Sequence, residues 1–136
     1  MSTLESLQAD LDRVAAPWVR ELGMRLVEAT PDGVVFTLPV SAPLVHGGGV
    51  VCGQALMAAA DTAMIIALSA ALGGFKPMTT VQLSCSFLKA VPGDTPAVTL
   101  RCSLLRKGRQ LAFGEVAVTL PDGTIAAHAT TTYAIL

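Results

Sequence analysis

The chain has 136 residues, 52% of them hydrophobic and 14% charged, with a net charge of −1. That length builds one domain with a real core and leaves too little for two. So few charges cannot coat a monomer evenly, which predicts a sizeable protein–protein interface, and the clustered positive footprint needed for a nucleic acid backbone is missing.

The opening residues Met1-Ser2-Thr3-Leu4-Glu5 are mixed polar and acidic. They lack the basic start and apolar run of a secretory signal, so none is expected. Leu4 to Leu22 carries apolar residues at Leu4, Leu7, Leu11, Val14, Ala15, Trp18, Val19 and Leu22, a one-faced helical spacing. Ser2 or Thr3 is placed to cap its start, and Glu5 lies in the first turn, where the helix dipole favours an acid. Pro17 falls inside the pattern and predicts a break or kink. Gly23 ends the segment. Met24 to Glu28 and Val34 to Val40 read as strands joined through Thr30-Pro31-Asp32-Gly33, hence a hairpin. Ser41 to Gly49 is a loop holding Pro43 and the run Gly47-Gly48-Gly49.

From about Gly53 to Leu72 the sequence reads as a helix, stopped by Gly73-Gly74. It is apolar on nearly all faces, which predicts burial all round. The length of Ala55 to Leu72 also fits a membrane span. Three features oppose that. Asp61 would cost about 2.5–3.5 kcal/mol near a bilayer centre. Much of the stretch is Ala, which adds little lipid affinity. The amphipathic strands after Gly74 need a partner for their apolar faces. A buried helix and no membrane contact are therefore expected.

Thr79 to Val91 alternates as a strand, and Pro92-Gly93-Asp94 turns the chain. Ala97 to Leu105 forms a hairpin with Leu111 to Leu120 through Arg106-Lys107-Gly108-Arg109. Pro121-Asp122-Gly123 is another tight turn, and Thr124 to Ile135 is the last strand. With no repeat and no linker, residues 1–136 are expected to form one domain. An apolar helix must be wrapped, and a curved antiparallel sheet of five or six strands is the only material for it. The expected class is α+β.

Asp61 is the most informative residue. An ionised carboxylate inside an apolar stretch is expensive unless something pairs with it or uses it. It either faces a polar pocket or hydrogen-bonds the backbone or Thr62. Cys52, Cys85 and Cys102 lack CxxC spacing, and their odd number leaves one unpaired. They predict a reducing, cytoplasmic compartment, thiols used as small apolar packers, and no metal site.

The stretch Cys52-Gly53-Gln54-Ala55-Leu56-Met57-Ala58-Ala59-Ala60-Asp61-Thr62-Ala63 resembles the PaaI-like acyl-CoA thioesterases. Their signature runs His-Gly-Gly, seven helical residues and Asp-x-Ala, on a hotdog fold. Thr79-Thr80-Val81-Gln82-Leu83 and Arg106-Lys107-Gly108-Arg109-Gln110-Leu111-Ala112-Phe113 also look like that family. The resemblance covers about residues 20 to 136. It implies hydrolysis of an acyl-CoA thioester to free acid and CoA, with no cofactor beyond the substrate's own coenzyme A. It also implies a homodimer that forms the site, and a homotetramer as the full assembly.

Residue by residue, Gly53 matches the glycine whose N–H binds the thioester oxygen. Helix-start N–H groups have no internal partner and sit at the positive end of the dipole, where a developing oxyanion is stabilised. A plain N-cap or loop role is the other reading. Asp61 matches the catalytic carboxylate, acting as general base on water or attacking the thioester directly. Eight residues at a rise of about 1.5 Å put it about 12 Å from Gly53. That is too far for one site in one chain, so the resemblance implies that Asp61 of one protomer faces Gly53 of its partner. His46 falls where many members place an Asn that orients water; a surface-loop histidine is the alternative. Cys52 stands where the family has His, and Gln54 where it has Gly. Cys52 is either an activated thiol or packing; Gln54 either bonds the substrate carbonyl or caps the helix. Thr80 would hold Asp61 or the water, or is an ordinary strand residue. Arg106, Lys107 and Arg109 would meet the CoA phosphates, or form a solvated hairpin tip. His128 reads as structural. Two rival functions stay open: hydration or dehydration of an acyl thioester using His46 with Asp61, and non-catalytic acyl-CoA binding.

Overall fold

Thr3, rather than Ser2, opens the first helix in the computed structural model, which describes residues 2–136. In α1 (Leu4–Val14) the Thr3 hydroxyl oxygen accepts from the Ser6 amide, and the Ser6 hydroxyl oxygen accepts from the Thr3 amide. Two unpaired helix-end donors are satisfied reciprocally. The expected helix over 4–22 is in fact two. The chain leaves α1 at Ala15, and Pro17 starts α2 (Pro17–Arg20). Proline is harmless at that first position, where its missing N–H has no partner to lose. Leu7 and Leu11 bury the inner face of α1.

The strands are β1 (Arg25–Thr30), β2 (Gly33–Pro39), β3 (Met78–Phe87), β4 (Ala97–Lys107), β5 (Leu111–Thr119) and β6 (Ile125–Ile135). They form one sheet in the order β1-β2-β4-β5-β6-β3, with every neighbouring pair antiparallel. The sheet therefore has six strands. It wraps the long helix α3 (Gly53–Leu72), which packs mainly on β2, β4 and β5. Ala59, Ala60, Ala63 and Ala67 are fully buried and let helix and sheet approach closely. Met64, Ile66 and Leu68 fill the space against Phe36, Leu38, Leu100 and Val116, all without exposure. Each such large side chain contributes about 1.5–3 kcal/mol by leaving water.

α3 is long and apolar enough to cross a membrane, yet it is the core helix of this sheet. The expected burial all round is not complete. Met57, Ala58, Asp61 and Ile65 are only partly buried. At spacings of three and four they share one stripe, the side of α3 that the sheet covers least.

β3 stops at Phe87, four residues before the expected end. The Leu88 and Lys89 amides both donate to Ala126 O, which turns the chain out of register. Val91 instead accepts from the Val51 amide and is buried in the core. β3 pairs with β6 alone, so its other edge is free, and Val81, Phe87 and Leu88 are exposed along it.

Candidate active site

Asp61 projects from the least-covered stripe of α3 and is held from two strands at once. The Thr80 hydroxyl donates to its Oδ1 at 2.8 Å. The Tyr133 hydroxyl donates to the same Oδ1 at 2.6 Å and also lies 3.1 Å from Asp61 O. Register explains this convergence. Thr80 on β3 and Tyr133 on β6 are directly paired, so their side chains leave the same face of the sheet a few ångströms apart. A bulge at Val81 follows Thr80 immediately. Such an extra residue bends a strand and re-aims its neighbours.

Tyr133 was absent from the sequence-based site, although a signal existed. Along β6, Ala127, Ala129, Thr131 and Tyr133 alternate onto the core face, and all four are buried. Tyr133 is the chain's only tyrosine. A buried tyrosine hydroxyl needs a polar partner, and the core offers few. Burial, and then the bond to Asp61, pushes the phenol well above its ordinary range. It is a donor that keeps its proton.

The second group of residues sits at the start of α3. Cys52 is the N-cap, and no side chain caps this end. Gly53 is the first helical residue, so its N–H has no partner within the helix. A Cβ built on Gly53 would lie 3.0 Å from Phe87 Cζ, so an aromatic ring from the end of β3 covers the helix start. Beside it opens a cavity of about 380 Å³ lined by Val50, Val51, Gly53, Leu56, Phe87, Leu88 and Lys89. A second cavity, of about 240 Å³, reaches the same turn from Trp18, Leu22, Pro43 and Leu44, and takes in Cys52 and Gln54. Gln54 is exposed and does not cap the helix.

His46 lies in the loop that the Cys52 amide ties to α3 by donating to Leu44 O at 2.8 Å. Its ring is exposed, and its Nδ1 accepts from the Gly48 amide at 2.8 Å. That bond leaves Nε2 to carry the proton of the neutral ring. Gly48 has to be small, because a Cβ there would come 2.7 Å from His46 Cε1. β4 runs two residues past the expected end at Leu105, because Arg106 and Lys107 pair with Phe113 and Ala112, so these two stand exposed on the strand end and only Arg109 lies in the turn to β5. Within one chain, then, Asp61 and Thr80 are brought together, Cys52, Gly53 and Gln54 form the first turn of α3, and the three basic residues stand on a hairpin.

His128 Nε2 lies 3.2 Å from Glu115 Oε2 on the sheet face away from α3. All three cysteines are free thiols. Burial, reinforced by the Glu115 charge, pushes the Cys102 thiol up to about 12. Burial also raises Cys85.

Residues 48–127 match the family model of the thioesterase superfamily. The chain belongs to that superfamily. The fold is that of the hotdog thioesterases. The thioesterase HI1161 of Haemophilus influenzae superposes with a TM-score of 0.87 at 22% identity, over 100% of this chain and 92% of its own. Zebrafish thioesterase superfamily member 2 gives 0.86 at 21% identity, over the whole of both chains, at 100% and 100%. The Escherichia coli PaaI protein of the phenylacetic acid degradation operon gives 0.82 at 17% identity, over 99% and 96%. At these identities the likeness is one of fold. No curated protein matches the chain in sequence.

Proposed function

We propose that this chain hydrolyses an acyl-CoA thioester to the free acid and CoA. One observation carries the reading. Asp61 is a carboxylate on the stripe of the core helix that its own sheet covers least, and it is held there by side-chain donors from β3 and β6. A partly buried acid in such a setting has a task more often than not. In this reading Asp61 activates water or attacks the thioester carbon, and the Gly53 N–H receives the oxyanion that develops. The cavity beside Gly53 is large enough for the thioester and its adjoining arm, and Lys89 on its rim meets the anionic end of the substrate. Arg106, Lys107 and Arg109 bind further CoA phosphates.

The two halves of the site lie about 12 Å apart along one helix. A homodimer joins them, with Asp61 of one protomer facing Gly53 of its partner. The free edge of β3, with Val81, Phe87 and Leu88 exposed, and the least-covered stripe of α3 support that assembly. A homotetramer built from two such dimers is the full assembly we propose. Three free thiols fit a reducing, cytoplasmic setting. His46 orients the water as a donor through Nε2. The Gly48 amide occupies its other nitrogen, so it is poorly suited to remove a proton. That speaks against the hydratase reading, which needs a histidine base.

The test is release of free thiol from a panel of aromatic, short and medium acyl-CoAs. Asp61→Ala should nearly abolish it while the far-UV CD spectrum remains that of the folded protein. Persisting hydrolysis in that variant overturns the assignment. Loss of an enoyl-CoA double bond without free thiol would favour hydration instead.

A further inference from the structure

We propose that Tyr133 is a positioning residue that, together with Thr80, fixes Asp61 Oδ1 and leaves Oδ2 as the oxygen that meets water or the thioester. The inference rests on Asp61 being the reacting carboxylate, and adds which of its two oxygens reacts and what aims it.

Both side-chain bonds to Asp61 fall on Oδ1, from donors on two different strands. Among the described residues none falls on Oδ2. A carboxylate turns about its last bond with little resistance when unheld. Here a turn that exchanged the two oxygens would break both bonds together. The Tyr133 bond, at 2.6 Å, has the length of a charge-assisted O–H···O⁻ bond, about twice as strong as a neutral one. The phenol has one proton. Asp61 O, at 3.1 Å, competes for it from farther away and with less charge, so Oδ1 takes it. Tyr133 is 1% exposed and Thr80 is open to solvent. The buried donor sets the geometry, and the open one lies on the side where substrate arrives. Because its phenol keeps its proton, Tyr133 serves by holding, without taking part in proton transfer.

The test uses two readouts. Tyr133→Phe keeps the ring and its packing and removes the hydroxyl. In acyl-CoA hydrolysis its kcat should fall about tenfold or more, the scale of one bond to a charged group, with KM within about twofold. The acid limb of its kcat/KM profile should move to higher pH, since an anion that loses a donor is harder to form. Thr80→Val should move the same limb in the same direction. Wild-type kcat in Tyr133→Phe overturns the proposal. So does a lower kcat with an unmoved acid limb, because altered packing alone explains that.

The second readout needs no turnover. Urea melts of Tyr133→Phe, Asp61→Ala and the double variant form a cycle around the contact. The two losses of stability should be less than additive, because either change alone already breaks the bond between Tyr133 and Asp61. Additive losses overturn the contact. Thiol release that survives Asp61→Ala overturns the hydrolase reading instead, and the cycle still decides the Tyr133 contact.

Discussion

Gly53→Ala separates the architectural and the chemical reasons for a glycine at the start of α3. Gly53 is a helical residue with no positive φ, so alanine fits the backbone. Inside a helix this exchange is worth up to about 1 kcal/mol in favour of alanine. Against that, the new methyl would lie 3.0 Å from Phe87 Cζ and 3.2 Å from Cε1. The ring must give by a few tenths of an ångström. It is half-exposed, at 50%, and has room to do so. The two effects nearly cancel, so the melting temperature should move by less than about 4 °C. Activity should not follow stability. The methyl enters the cavity beside the N–H that holds the oxyanion, and a substrate oxygen kept from such a donor loses roughly 2.7–4 kcal/mol, or about 10²–10³-fold in kcat. The assay is thiol release from the best acyl-CoA, with Gly53→Ala compared with Phe87→Ala and the double variant. If a displaced ring caused the defect, removing the ring would rescue it. No rescue is expected. Full activity in Gly53→Ala, or its return in the double variant, would refute the oxyanion role of this amide.

Two further predictions follow from charge. Replacing Arg106, Lys107 and Arg109 together by Ala should raise KM for acyl-CoA about 3- to 150-fold, as expected for three exposed cations worth about 0.2–1 kcal/mol each. It should leave the KM for a short thioester without the nucleotide unchanged; equal effects on both substrates would remove the hairpin from CoA binding. Stability should fall as pH rises above 9. The Cys102 thiol ionises near its ordinary 9.0 when unfolded but only at about 12 when folded. The unfolded chain therefore releases its proton first, and the folded state loses about 2 kcal/mol between pH 9 and 11. Urea melts across that range read the slope, and Cys102→Ala should flatten it; an unchanged slope would show the thiol to be no part of alkaline unfolding.

Much of the fold could be read from the chain because its signals are local. Gly73-Gly74 ends α3 where expected, and Gly73 adopts the left-handed conformation that a helix stop requires. Asp61 stood out because one acid in an apolar run is costly anywhere. The misses are matters of long-range contact. Nothing near Leu88 says that its amide will bind Ala126 O, so the end of β3 was placed too late. Pro17 was seen as a breaker, but whether it kinks one helix or begins another depends on the Ala15–Ala16 backbone, which is extended. Tyr133 lies 72 residues from Asp61, and only the register of β3 on β6 makes them neighbours. The least-covered stripe on α3 was hidden for the same reason, since composition reports that a helix is apolar but not which side the sheet covers.

The sheet order has a consequence for how the protein matures. β3 is made directly after α3, yet its one partner is β6, the last of the six strands to leave the ribosome. Until β6 arrives, β3 is an unpaired ribbon with exposed apolar side chains, the kind of surface that folding helpers recognise and that sticks to other nascent chains. The carboxylate on α3 waits as well, for its threonine and tyrosine reach it only when these two ribbons zip together. Competence of the acid and closure of the sheet are thus one event in time.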